Sequence, residues 1–286
     1  MLTDTHAHLY WDSFKEDFDE MIQRAIDAGV TTIINVGVDV ELSKKALDQT
    51  TGELANIPNF KVYSTIGIHP HSAVSYFPKE NSPTVYSSEG SIQKDIIELE
   101  KLYQTHPEQV VAVGECGLDY VGTDEKQKDL QKKLFQAQID LASKLKLPLI
   151  VHCRDDRSKD PNNSEAWDKI LKMIGNYPAI LHCYSGLLKT TQKVLRIPNV
   201  LVSFAATITY PKNEYLREAV KILPMEKIVL ETDCPFLPPQ SKRGQRNEPA
   251  NIIEVAQLIA EIKSIPLEEV AKQTSVNAAN IFAFPT

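Results

Sequence analysis

Six of the seven histidines in this 286-residue chain, His6, His8, His69, His71, His152 and His182, stand at or just beyond the end of a short apolar run. Only His106, in a helix-ending His-Pro, lies elsewhere. A single histidine at such a place is more often a satisfied core or surface residue than a ligand. Six in the same structural position ask for a shared task. His6 and His8 are two residues apart, so on an extended strand both imidazoles leave the same side and can chelate one cation. Glu115, in Val-Gly-Glu-Cys-Gly-Leu-Asp, and Asp233, in Leu-Glu-Thr-Asp-Cys-Pro, each follow an apolar run directly. An unpaired charge is costly there. Salt bridges to lysine would also meet that cost, but no cation is predicted on the same face of either strand. Metal ligation is therefore the favoured reading. A nitrogen-rich set with carboxylates suits Zn²⁺, Mn²⁺, Co²⁺ or Fe²⁺ on ligand softness.

The four cysteines follow these candidates one by one: Cys116 after Glu115, Cys153 after His152, Cys183 after His182 and Cys234 after Asp233. Consecutive side chains on a strand face opposite sides. If the first of each pair faces inward, the thiols are expected to turn toward the helices as small apolar fillers. No Cys-x-x-Cys pair is present, so neither a thiolate zinc site nor a disulfide framework is expected.

The elements that must position these residues are eight short strands, predicted at 2–5, 31–36, 62–68, 110–114, 149–152, 180–182, 200–204 and 228–231. Helical periodicity fills the intervals, at 16–28, 42–49, 92–105, 126–145, 165–174, 189–195, 213–222 and 248–263, with a tail over 267–279. Apolar strands alternating with helices belong to a parallel sheet covered by helices. Eight such units fit an α/β protein of the (β/α)8 TIM-barrel type. An open doubly wound sheet would want a glycine-rich turn after its first strand, where His6-Ala7-His8 stands instead. No linker or repeat divides the chain, so residues 1–286 are read as one domain. Residues 71–90 and 155–163 are polar connections without periodicity. Both follow a strand and are expected over the C-terminal face, where such barrels carry their sites.

Composition sets outer limits. Hydrophobic residues make up 42% and charged residues 24%, the balance of a globular protein. No run approaches the length of a membrane helix, and no secretory signal is visible at the N-terminus, so a cytoplasmic protein is expected. A net charge of −7 argues against coating duplex DNA by bulk charge. Lys242, Arg243 and Arg246 form a local basic cluster shortly after Asp233, and such side chains can pair with backbone phosphates without reading sequence.

Along its whole length the chain resembles the TatD-type metal-dependent deoxyribonucleases of the amidohydrolase superfamily. The opening Thr3-Asp4-Thr5-His6-Ala7-His8-Leu9 matches that family's first motif, and Gly67-Ile68-His69-Pro70-His71 and Gly114–Tyr120 match the next. Ile150–Arg154, Leu181–Gly186, Leu230–Pro235 and Arg246-Asn247-Glu248-Pro249 follow in the family's order, and Asn277–Phe282 closes it. The resemblance implies a binuclear site: His6, His8 and Asp233 on one divalent ion, His152 and His182 on the other, and Glu115 bridging. It implies Mg²⁺, whereas the ligand types also suit Zn²⁺ or Mn²⁺. Asp233 is the candidate to orient the attacking water and take its proton. His69, His71 and Arg154 stand on the rim, where they could steady a phosphate or leaving oxygen. The implied substrate is DNA, as single strands or 3′ ends, with no membrane and no obligate protein partner. The competing expectation is an amidohydrolase acting on a cyclic amide, lactone or acyl ester, because fold does not fix function.

Overall fold

A computed structural model describes residues 1–76 and 88–284. Eight parallel strands run in sequence order around a barrel: β1 (Leu2–Ala7), β2 (Val30–Asn35), β3 (Lys61–Ile66), β4 (Val110–Asp119), β5 (Leu149–Arg154), β6 (Ala179–Leu181), β7 (Val200–Phe204) and β8 (Ile228–Leu230). Helices follow them on the outside: α1 (Phe18–Asp27), α2 (Val40–Thr51), α3 (Ser88–Thr105), α4 (Glu125–Leu145), α5 (Glu165–Ile174), α6 (Leu188–Val194), α7 (Glu214–Ile222) and α8 (Ile252–Lys263), then a terminal α9 (Leu267–Phe282). The expected TIM barrel is the observed fold, with strand ends shifted by a few residues.

The alternation that defines a strand divides the core in two. Ile33, Leu149, Val151 and Leu181 face outward and pack with the helices. Their neighbours Ile34, Ile150, Ile180, Leu201 and Val229 face the lumen, which Ala278 and Phe282 of α9 plug from the N-terminal end. His152 lies two residues beyond Ile150 and shares its inward direction.

The barrel closes at its C-terminal mouth. Ala7 bridges Cys234, the His8 amide donates to the Cys234 carbonyl at 2.8 Å, and the Asp233 amide donates to the His6 carbonyl at 2.9 Å. Closure and the candidate ligands therefore share the same few residues.

Three strand ends differ from expectation in a way that matters. β4 does not stop at Gly114; its register shifts between Val113 and Cys116, and it continues to Asp119. β6 and β8 end before His182 and Asp233, which sit on the first loop residues. Of the 71–90 connection, Pro70–Tyr76 forms 3-10 turns and α3 begins at Ser88; 77–87 lies outside the described residues. In the 155–163 connection, Arg157 donates to the Ser185 carbonyl at 2.8 Å. That places the segment at the C-terminal end of the barrel, although no residue of it lines the central cavity. No helix among the described residues is long and apolar enough to cross a membrane.

Candidate metal centre

At the mouth of the barrel a cavity of about 770 Å³ is lined by His8, His69, His71, Glu115, His152, Arg154, His182, Cys183 and Asp233, together with aromatic and apolar side chains. Glu115 lies at its floor, placed there by two glycines. A Cβ on Gly114 (φ +156°) would fall 2.5 Å from the Ile150 carbonyl oxygen, and one on Gly117 (φ +141°) would collide with the carbonyl of His152. Only glycine lets β4 approach β5 this closely on both sides of Glu115.

The two oxygens of Glu115 face different groups. Oε2 lies 3.4 Å from Nε2 of His6, whose Nε2 is in turn 3.3 Å from Nε2 of His8. Asp233 Oδ1 completes that group, 3.5 Å from His8 and 3.8 Å from His6. On the other side, Oε1 lies 2.9 Å from Nδ1 of His152 and 3.5 Å from Nε2 of His182. Nε2 of His69 is also 3.5 Å away, which puts His69 inside the cluster rather than on the rim.

These residues fit divalent cations. His8 donates its Nδ1 proton to the Val36 carbonyl at 2.9 Å, so in the neutral ring the Nε2 lone pair points at the other donors. Burial alone would neutralise both acids. Instead His69, His182, His152 and His6 hold Glu115 well below the usual carboxylate range, and the adjacent imidazole of His8 with those of His182 and His6 lowers Asp233. The carboxylates act back on the imidazoles. Against the effect of burial, Asp119 and Glu115 raise His152 to about 9, and Glu231 and Glu115 raise His182 to about 10. His69 goes the other way, down to about 3, because burial outweighs its neighbours. Two buried carboxylates ringed by imidazole nitrogens form a donor set that favours added positive charge.

Three buried acids behind the ligand candidates were not singled out from the sequence. Glu231 Oε1 lies 2.9 Å from Nδ1 of His182, although out of line for a hydrogen bond, and accepts the Cys183 amide at 2.6 Å. Asp119 Oδ2 is 3.1 Å from Nε2 of His152 and 3.0 Å from Nε2 of His71. Asp4 accepts the Thr232 amide at 3.0 Å and the Thr232 hydroxyl at 2.6 Å, tying the middle of β1 to the loop that carries Asp233. Such outer partners fix the orientation of ligands.

The cysteine expectation holds for three thiols and fails for the fourth. Cys116, Cys153 and Cys234 are buried in the outer core, although Cys153 also borders the cavity. Cys183 is half-buried on the cavity wall, with its sulfur within 4.8 Å of ligand atoms of His182 and Asp233. The reason is local: β6 has already ended, and Cys183 is in the left-handed region (φ +42°), so strand alternation no longer applies.

The basic cluster is dispersed, and none of its members lines the cavity. Arg246 grips both carboxylate oxygens of Asp17 at 2.7 Å, Lys242 donates to Asn251 at 2.5 Å, and the Arg243 guanidinium lies 4.5 Å over the Tyr210 ring. Arg154 and His71, by contrast, are exposed at the mouth.

The comparisons with known proteins span the whole molecule. Residues 3–283 match the family model described as TatD related DNase. The chain is 35% identical over 284 residues to the metal-dependent hydrolase YabD of Bacillus subtilis, covering 99% of each chain. It is 30% identical over 283 residues to the 3′-5′ ssDNA/RNA exonuclease TatD of Erwinia amylovora, covering 98% of each. The crystal structure of YjjV, a TatD homologue from Escherichia coli K12, superimposes with a TM-score of 0.80 at 27% identity, over 99% of this chain and 98% of that one. A barrel whose mouth gathers histidines and acids in this order, with a family match from end to end, belongs to the TatD related DNases.

Proposed function

We propose that this protein is a divalent-metal-dependent nuclease that hydrolyses phosphodiester bonds of single-stranded nucleic acid, DNA in the first place, from the 3′ end. The observation that carries the reading is the split of Glu115, one oxygen toward His6, His8 and Asp233 and the other toward His152 and His182. That arrangement suits two ions, with Glu115 between them. Two bound ions would polarise a phosphodiester and provide hydroxide near neutral pH. Asp233, at the cavity wall with its carboxyl held below the usual range, would orient a water and accept its proton. Arg154 and His71 offer donors at the mouth for phosphate oxygens. The 3′ direction and the single strand follow the named activity of the Erwinia relative.

The test pairs metal analysis with turnover. Protein purified without chelator should carry two divalent ions per chain and release nucleotides from the 3′ ends of single-stranded DNA. Glu115→Ala should lose both properties while circular dichroism still reports a folded barrel. Normal turnover by that variant, or turnover of lactones and cyclic amides in place of DNA, would remove this reading.

A further inference from the structure

Phe236 is the one aromatic ring among the exposed large apolar side chains of the described residues, 43% exposed, and it stands on the wall of the central cavity. Much of the ring faces water beside a charged site, where burial in the core does not account for it. Its loop is nevertheless held firmly. The Phe236 amide donates to the Asp233 carbonyl at 2.9 Å, and Asn247 binds the loop at two points, its amide to the Pro235 carbonyl at 3.0 Å and its side chain to the Thr232 carbonyl at 2.9 Å. The residues three before and one after the ring, Asp233 (φ +59°) and Leu237 (φ +52°), occupy the left-handed region without being glycine. That conformation costs energy and persists only where the surroundings enforce it. The ring is thus presented, not merely left out.

Its neighbours define what could bind there. The Trp11 ring lies 5.5 Å from Phe236 at 74°, and the His8 ring 6.0 Å away at 70°. Both meet it at steep angles, as edge contacts, and neither is stacked parallel on the phenyl ring. Trp11, Phe236 and Leu237 form an aromatic and apolar wall on the β1–β8 side of the mouth, whereas Arg154 and Ser185 line the β5–β6 side. A flat apolar ring attached to a phosphodiester matches this division, with the ring on one wall and the charged backbone over the acids and imidazoles between.

We infer that Phe236 and Trp11 form a stacking site for an unpaired terminal nucleobase, beside the candidate metal centre. The naming of a nucleobase rests on the nuclease reading above. Stacking on aromatic side chains tolerates any base, and a base held in a duplex must first give up its own pairing and stacking to reach this wall. The site therefore selects frayed or single-stranded ends without reading sequence.

Two single-stranded oligonucleotides test it: one with an ordinary 3′-terminal base, the other with a tetrahydrofuran abasic residue there. Phe236→Ala should raise KM for the first by about 5- to 150-fold. The abasic end should lose a similar factor with the unaltered protein, and the substitution should add little to it. Phe236→Tyr should restore ordinary KM. Binding is read independently from tryptophan fluorescence, since of the two tryptophans Trp167 is fully buried and Trp11 stands at the cavity. A phosphorothioate oligonucleotide with a terminal base should quench it, and the abasic one should not. Base-dependent quenching without hydrolysis would keep the stacking site and remove the nuclease reading. Hydrolysis with equal Phe236→Ala effects on both ends, or with none, would overturn the stacking site and leave the nuclease reading standing.

Discussion

Glu231 offers the sharpest test at the level of single residues, because it backs the site from behind, against His182 and the Cys183 amide. Its Oε1 lies 2.9 Å from the imidazole Nδ1, and the residue is fully buried. Glu231→Gln keeps the shape and removes the charge, and it should weaken metal retention about 10- to 100-fold, read by competition with a chelator. The sequence held the signal for this residue. Glu231 stands two before Asp233, as Asp4 stands two before His6, and the period of two that singled out His6 and His8 applied to both. What it did not hold was any sign that Cys183 would turn into the cavity. That depends on where β6 stops and on one left-handed residue, and neither leaves a mark on apolar periodicity.

At the scale of elements, β4 and the loop after β8 do different work. β4 brings Glu115 to the floor of the site because Gly117 lets its backbone pass against the His152 carbonyl. Gly117→Ala should separate β4 from β5, lowering both Tm and metal content, whereas Gly122→Ala, with open space around it, should leave metal content intact. The loop after β8 is clamped to α1 by Asp17, Arg24, Arg246 and Glu248. Hydrogen bonds from Arg246 and Arg24 hold the Asp17 carboxyl well below its usual range. A carboxyl with a depressed folded pKa contributes stability that is fully present above its unfolded value of about 3.9 and is lost as pH falls through the acid range below it. Asp17→Asn should therefore lower Tm at pH 7, and the gap from the unaltered protein should shrink on acidification below about pH 4. The basic run in this loop looked from the sequence like a phosphate contact. For Arg246 the partner was a carboxylate more than two hundred positions away, which a one-dimensional reading cannot pair.

For the molecule as a whole, the acids and imidazoles at the mouth make stability depend on what they bind. Adding Mn²⁺ or Zn²⁺ to chelator-treated protein at about 100 times the dissociation constant contributes about 2.7 kcal/mol, on the order of a 5–10 °C rise in Tm for a domain of this size. Glu115→Ala should abolish the rise. The barrel architecture was legible because eight apolar runs separated by amphipathic helices leave few alternatives. The place of its seam was not, since closure rests on backbone bonds between His6, His8 and the Asp233–Cys234 pair. That seam bears on how the protein is made. Translation delivers His6 and His8 more than two hundred residues before Asp233. A nascent or prematurely terminated polypeptide lacking β8 has neither a closed sheet nor a full set of donors. It would be inert toward nucleic acid, and the hydrolytic centre would come into being only with the finished barrel.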